Sequence, residues 1–119
     1  MDLPKPGVPD LYGSSDPLPS HIVATLHLHA GPRAPSETRI IKPVTVLGRG
    51  ERFADVDVGD GSASRRHAFI KFKDNAFWLN DMGSTNGTVL NGELVGEGKL
   101  KDGDEIQIGT AILRFELGS

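Results

Sequence analysis

The sequence predicts an all-β domain, an antiparallel sandwich or a barrel, and three observations lead to this class. Apolar and polar residues alternate with a period of two along most of the chain, as in half-buried strands. No stretch of about 10 to 12 residues carries a helical apolar stripe. The 15 glycines, together with Asn and Asp, separate the alternating segments. Many short strands joined by turns favour a sandwich or barrel.

The first alternating segment is HIVATLHLH at residues 21–29. Ile22, Ala24, Leu26 and Leu28 share one face of a strand, because successive side chains point to opposite faces. The segment therefore predicts a first strand with one face in the core.

The remaining predicted strands follow in chain order. They are TRII at 38–41, VTVLGR at 44–49, ADVDV at 54–58, RHAFIKF at 66–72, AFWLND at 76–81, GTVLNG at 87–92, KLKDGDEIQIG at 99–109 and AILRFEL at 111–117. The segments KDNAFW, VLNGELV and LKDGDEI predict hairpin turns, because Asn, Asp and Gly tolerate the backbone angles required there. Five aromatic residues are expected in the core or partly covered: Phe69, Phe72, Phe77, Trp78 and Phe115.

The overall composition excludes several functional classes. A net charge of −3 argues against a general attraction to nucleic acid or membrane. The absence of cysteine excludes disulfides and cysteine-based zinc sites and fits a reducing compartment. No apolar run approaches the ~20 residues of a membrane span, and no signal peptide is evident. We expect a cytoplasmic protein, or the cytoplasmic part of a longer chain, without a cofactor, a metal site or a small-molecule substrate.

The chain divides into a tail and one domain. Residues 1–20 contain five of the eight prolines and predict a disordered or loosely draped tail, or a linker. Residues 21–117 carry the strand patterns and predict a single β domain.

Three polar or glycine-rich segments stand where predicted strands end: LGRG at 47–50, SASRRHA at 62–68 and MGSTNGTVLNG at 82–92. Loops cluster at the ends of a sandwich, so these segments can meet in space. They would then offer Arg49, Ser64, Arg65 and Thr85 as donors, with Asn86 nearby. Guanidinium groups, hydroxyls and amides together suit a phosphate monoester, which carries roughly −1.5 to −2 charges at neutral pH.

The motifs LGR, SRRHA and GSTNGTVLNG, in this order, resemble the signature of the forkhead-associated (FHA) domain, a phosphothreonine-binding module. The resemblance covers about residues 21–117, and DGDEIQIG is similar to the C-terminal hairpin of the family. It implies an antiparallel β-sandwich of about eleven short strands with a phosphopeptide site in loops at one end. It also implies an adaptor, not an enzyme, that recruits partners phosphorylated on threonine by a Ser/Thr kinase.

The resemblance assigns roles to the site residues. Arg49 and Ser64 would bind phosphate oxygens, and Arg65 would add a second contact through its side chain or backbone. Thr85 would donate a further hydrogen bond, and Asn86 would hold the peptide backbone beside the phosphothreonine.

Six further residues are given supporting, alternative or peripheral roles. Asn91 would contact the peptide or form its own turn. Gly48, His67 and Gly87 would support the loops. The small residue Ser62 is expected to face the side chain about three positions after the phosphothreonine. Arg66 is expected to point to solvent, because neighbours on a strand alternate in direction.

Two other functions are alternatives. A phosphate-independent interaction scaffold would bind partners through a face of the sandwich. A hydrolase would combine Ser64, His67 and Asp81, but positions i and i+3 of a strand face opposite sides and no nucleophile elbow surrounds the serine. The tail contains serines at 14, 15 and 20 but no threonine, so we expect no phosphothreonine switch within it.

Overall fold

The computed structural model describes residues 12–118, and no helix occurs among them. Eleven strands form two sheets: β1 Val23–Ala30, β2 Ser36–Arg39, β3 Val44–Gly48, β4 Val56–Asp57, β5 Ala68–Lys73, β6 Ala76–Asp81, β7 Thr88–Leu90, β8 Glu93–Val95, β9 Glu97–Leu100, β10 Glu105–Ile108 and β11 Ala111–Gly118. The predicted all-β sandwich is confirmed. Within the described residues there is accordingly no helix that could cross a bilayer.

The two sheets differ in size. The six-stranded sheet has the order β2-β1-β11-β10-β7-β8, and the five-stranded sheet has the order β4-β3-β5-β6-β9. Neighbouring strands run antiparallel except for β3 and β4, which pair in parallel through Leu47 with Val56 and Gly48 with Asp57. This short parallel pair departs from the predicted antiparallel pattern. It places Asp57 beside the chain where it leaves β3.

The main core lies between the two sheets and follows the predicted alternation. On β1, Ala24, Leu26 and Leu28 point into it, and their exposed fractions are 2% or less. The opposite sheet contributes Ile70 and Leu79, which are equally buried. Each fully buried large apolar side chain contributes about 1.5–3 kcal/mol of transfer free energy, so this core is the main source of stability.

A second, smaller cluster covers the outer face of the five-stranded sheet. Val46, Ala54 and Phe69 are its buried members, and Tyr12 packs against them with its ring 5.1 Å from that of Phe69. Four of the five aromatic residues singled out in the sequence are buried, and Trp78 is half-buried, as predicted.

Residues 12–18, which we call the N-terminal strap, run along β5. The Asp16 amide donates to the Phe72 carbonyl at 2.8 Å, and the Asp16 carboxylate accepts from the Asp74 amide at 2.8 Å. Leu18 packs against the main core. The part of the predicted tail before residue 12 lies outside the described residues, and the domain boundary at residue 21 stays a prediction.

Two of the three predicted hairpin turns are present. The third, at LKDGDEI, was wrong: this segment joins β9 to β10, which lie in different sheets. Asp74 and Asn75 join β5 to β6 with φ angles of 52° and 60°. Asn91 and Gly92 join β7 to β8 with φ angles of 49° and 85°. Two successive residues with positive φ form the tight turn that matches the twist of paired strands.

Candidate functional site

Three loops meet at one end of the sandwich, as the sequence predicts: the β3–β4 loop (49–55), the β4–β5 loop (58–67) and the β6–β7 loop (82–87). The Arg49 guanidinium donates from Nε to the Ala63 carbonyl at 3.0 Å. The Asn86 amide donates from Nδ2 to the Ser62 carbonyl at 2.8 Å. These two bonds attach both outer loops to the β4–β5 loop, so Arg49, Ser64 and Asn86 belong to one surface.

Gly48 allows the β3–β4 and β4–β5 loops to approach closely. The Arg49 amide hydrogen bonds with the Ser64 carbonyl at 3.1 Å and the Arg65 carbonyl at 3.2 Å. A Cβ atom on Gly48 would lie 1.9 Å from the Arg65 carbonyl oxygen. That distance is impossible for two backbones in this arrangement, so the position requires glycine.

His67 holds the β4–β5 and β6–β7 loops together from inside. Its side chain is fully buried. The ring accepts at Nδ1 from the Ser64 amide at 3.1 Å, and Nε2 lies 2.7 Å from the Gly87 carbonyl oxygen. Because a carbonyl only accepts, Nε2 carries the ring proton.

The hydrogen bonds of His67 leave no ring nitrogen for the Ser64 hydroxyl. Asp81 also has other partners, since its carboxylate accepts from the hydroxyls of Ser84 and Thr88. Ser64, His67 and Asp81 therefore form no hydrogen-bonded triad. The contact between Ser64 and His67 also shows that residues 64–67 bend, so the strand-based reason for keeping them apart was wrong.

The two arginines of the SRRH motif both lie against Phe53. The guanidinium carbons of Arg65 and Arg66 are 5.0 Å and 5.9 Å from the centre of its ring. The prediction that they alternate along a strand was wrong, because β5 begins only at Ala68. The β3–β4 loop, through Phe53, thus fixes both cations by cation–π contacts.

Asp57 positions the chain next to Arg49. Its Oδ1 accepts from the amides of Gly50 and Gly59, each at 2.9 Å. The Gly50 hydrogen bond holds the pKa of Asp57 below its ordinary value, and the Gly59 amide and Arg33 act in the same direction against the effect of burial. This carboxylate therefore stays ionised and keeps the β3–β4 loop in place.

Asp60 positions the β4–β5 loop. Its carboxylate accepts from the amide and hydroxyl of Ser62, both at 2.7 Å, and from those of Thr110 in the β10–β11 turn. Hydrogen bonds from the Thr110 hydroxyl first, and then from Ser62, hold the pKa of Asp60 well below its ordinary value.

Sequence reasoning did not identify Asp57 and Asp60. Each bonds an amide two residues further on, Gly59 and Ser62, which is the Asx-turn spacing. That local signal was readable in DVDVGDGS. The contact of Asp60 with Thr110, 50 residues away, was not.

The predicted phosphate-binding side chains present their polar groups outward. Arg49, Arg65 and Thr85 are exposed, and Ser64 is half-buried. Within residues 12–118, the hydroxyls of Ser64 and Thr85 make no hydrogen bond, so both are available to a ligand.

Asn91 does not join this surface. It lies at the other end of the three-residue strand β7 from Gly87, about 13 Å away along the strand. Its side chain donates to Asp104 at 3.0 Å and accepts from the Glu105 amide at 2.9 Å. Both ends of the amide are therefore engaged, which favours the turn-forming role over peptide contact.

Gly87 has the geometry expected of a loop support, and Ser62 was expected to face the bound peptide. Gly87 has a φ of 87°, and a Cβ there would lie 2.4 Å from Cδ1 of Leu94. The hydroxyl of Ser62 donates to Asp60, and its carbonyl accepts from Asn86, so both groups are engaged within the loops. Among residues 12–118, no three His, Asp or Glu side chains group closely enough to hold a metal ion.

This arrangement defines a class of protein, a β-sandwich binding module whose loops at one end present cations and free hydroxyls. A family model described as FHA domain matches residues 45–109. The chain belongs to the FHA domain family, and the predicted family is confirmed. Phosphothreonine-peptide binding, the function that the resemblance implied, is the function of this family.

Curated relatives support the same family. The chain is 39% identical over 95 residues to the glycogen accumulation regulator GarA of Mycobacterium tuberculosis, covering 80% of this chain and 58% of that protein. It is 37% identical over 101 residues to the oxoglutarate dehydrogenase inhibitor of Corynebacterium diphtheriae, covering 85% and 70% respectively. The chain thus spans less than two thirds of the length of GarA.

Solved structures agree. One, from a structural and functional analysis of phosphothreonine-dependent FHA domain interactions, superposes with a TM-score of 0.73 at 30% identity, covering 82% of this chain and 98% of that one. The FhaA FHA domain, complexed with the intracellular domain of Rv3910, gives a TM-score of 0.70 at 31% identity, covering 78% and 99%.

Proposed function

We propose that this FHA domain binds phosphothreonine segments of partner proteins through Arg49, Ser64, Arg65, Thr85 and Asn86. The observation that carries the proposal is the convergence of three loops whose outward groups are cations and unengaged hydroxyls. A doubly charged phosphate with three acceptor oxygens satisfies this set of donors.

Each residue has a distinct part in this mechanism. Arg49 uses Nε for the Ala63 carbonyl, so its terminal nitrogens are left to bind the phosphate in charge-assisted hydrogen bonds. Ser64 donates its hydroxyl to a second oxygen. Thr85 donates to the phosphate from the opposite loop.

Asn86 holds the peptide itself in this proposal. Its Nδ2 donates to the Ser62 carbonyl at 2.8 Å. Its Oδ1 can accept an N–H from the backbone of the bound peptide. A main-chain contact of this kind positions the ligand without reading its sequence.

The relatives suggest the setting in which binding operates. GarA is named as a regulator and the corynebacterial proteins as enzyme inhibitors. We propose that this chain likewise acts in the cytoplasm as an adaptor with no catalysis of its own. Its partners would be proteins phosphorylated on threonine by a Ser/Thr kinase.

The test is calorimetric titration with a degenerate phosphothreonine peptide library and with its unphosphorylated twin. We expect heat of binding from the phosphorylated library alone, with affinity that falls as salt is added. Equal binding of both libraries, or of neither, would sink the proposal. Partner capture that phosphatase treatment leaves unchanged would instead favour the phosphate-independent scaffold.

A further inference from the structure

Arg49 lines a groove that extends beyond the phosphate site. The groove has a volume of about 510 Å³ and is lined by four arginines and two carboxylates with Gly50 and Phe53: Arg33, Arg49, Arg52, Arg65, Glu51 and Asp57. Its walls come from the β1–β2, β3–β4 and β4–β5 loops together with Asp57 of β4. No residue of the β6–β7 loop lines it, so Asn86 lies outside the groove.

The groove is locally cationic in a chain whose net charge is −3. Of its two carboxylates, Asp57 is already engaged by two backbone amides and by Arg33, whose Nη2 lies 3.5 Å from Oδ2. Glu51 is exposed at the rim. The four guanidinium groups therefore exceed the negative charge available to them within the groove.

Two of the groove arginines, Arg33 and Arg65, are held in position by neighbouring residues. The side chain of Arg33 crosses Gly59, where a Cβ would lie 2.5 Å from its Cγ. Arg65 rests on the ring of Phe53 at 5.0 Å. Positioned guanidinium groups lose less side-chain freedom when they bind a carboxylate than mobile ones do.

We propose that this groove selects target peptides with acidic residues flanking the phosphothreonine. These acidic residues would lie on the side of Arg49 that is opposite Asn86. Arg33 and Arg52 are the specificity-determining residues, because they line the groove without belonging to the phosphate site. The inference rests on the proposed function, since the phosphothreonine places the peptide across Arg49. Carboxylates match guanidinium forks in geometry and charge.

The experiment compares short phosphothreonine peptides that differ in their flanks. One has neutral flanks, a second has glutamates before the phosphothreonine, a third has glutamates after it, and a fourth replaces the better-placed glutamates by lysines. Affinities are measured by fluorescence anisotropy with the full chain. We expect one glutamate peptide to bind about three- to tenfold more tightly than the neutral peptide, as for a few exposed ion pairs. The lysine peptide should bind more weakly than the neutral one.

The double variant R33Q/R52Q tests whether Arg33 and Arg52 cause the preference for glutamate. It should bind the neutral phosphopeptide like the parent chain and lose the gain from glutamate. Arg39→Gln is the matched control, because Arg39 is an exposed arginine that pairs with Thr25, away from the groove. This control should keep the gain.

The outcomes separate the two proposals. Phosphate-dependent binding without any glutamate preference, or a preference that survives R33Q/R52Q, overturns the groove inference and leaves the proposed function standing. A glutamate gain that Arg39→Gln also removes points to overall charge and overturns it too. Equal binding of the neutral phosphopeptide and its unphosphorylated twin contradicts the proposed function itself.

Discussion

The imidazole of His67 and the carbonyl of Gly87 lie 2.7 Å apart, so one buried side chain joins two of the three site loops. The other ring nitrogen accepts from the Ser64 amide. Placement of the site therefore depends on a residue that faces the interior and not the ligand.

Replacing His67 by Phe should destabilise the domain by about 2–4 kcal/mol, because two backbone groups lose their partners inside the protein. Phe keeps a ring of similar size, so the loss of hydrogen bonds dominates. Urea denaturation measures the effect. His29→Phe, at an exposed position of β1, is the control and should change stability little. Equal stability of His67→Phe and the parent chain would contradict the role given to this histidine.

Gly48→Ala should destabilise the domain by about 2–3 kcal/mol, because the added methyl meets backbone that cannot easily move. The contact distance to the Arg65 carbonyl would be 1.9 Å. Gly61→Ala is a matched control in the β4–β5 loop, where a Cβ has nothing within 4 Å. Denaturant midpoints that shift alike for both variants would show that the close approach is unimportant.

Arg49→Ala should weaken phosphothreonine-peptide binding by about 2–5 kcal/mol, the range for truncating one partner of a buried charge pair. The fold should persist, because Arg49 is exposed. Calorimetry with one phosphopeptide measures the loss, and Arg39→Ala is the control. An affinity within about twofold of the parent chain, a fraction of 1 kcal/mol, would remove Arg49 from the site.

The stability of the domain should fall in acid partly through Asp60. Its folded pKa lies below the unfolded value of about 3.9, so the carboxylate stabilises the fold above that pH and its contribution is lost as the pH falls. Asp60→Asn should therefore have a lower free energy of unfolding than the parent at neutral pH. This difference in unfolding free energy should narrow below about pH 4. Urea titrations across this range measure it. Asp74→Asn, at an exposed turn, is the control for loss of one carboxylate. A difference in stability between Asp60→Asn and the parent that stays constant with pH would contradict the assignment.

The hydrogen bond between the N-terminal strap and β5 should slow amide hydrogen exchange. The Asp16 amide should exchange at least about tenfold more slowly than those of Ser14 and Ser15, because it donates to the Phe72 carbonyl. Amide-resolved NMR measures the rates. Similar exchange at all three positions would favour the loosely draped tail expected from the prolines.

The alternating segments predicted the strands, because a strand with one buried face alternates apolar and polar residues. β6 has the predicted bounds 76–81, and Ala68, Ile70 and Phe72 point into the core as expected. The Asp-Asn and Asn-Gly turns were equally readable, since few residues adopt positive φ.

The site was predicted less completely, because much of it depends on contacts between distant segments. Phe53 holds Arg65 and Arg66 from another loop, so the strand rule misjudged their directions. Asn91 belongs to the motif in sequence, yet its side-chain amide bonds Asp104 and Glu105 at the start of β10. Local pattern identifies which residues are unusual, whereas tertiary contacts decide which of them meet.

The parallel pair of β3 and β4 couples peptide recognition to a short edge strand of the five-stranded sheet. β4 has two residues and one neighbouring strand, and edge segments of this kind fray before a core melts. Fraying would withdraw Asp57 from Gly50 and free the backbone beside Arg49. On warming, affinity for the phosphopeptide should therefore be lost while most of the sandwich is still folded.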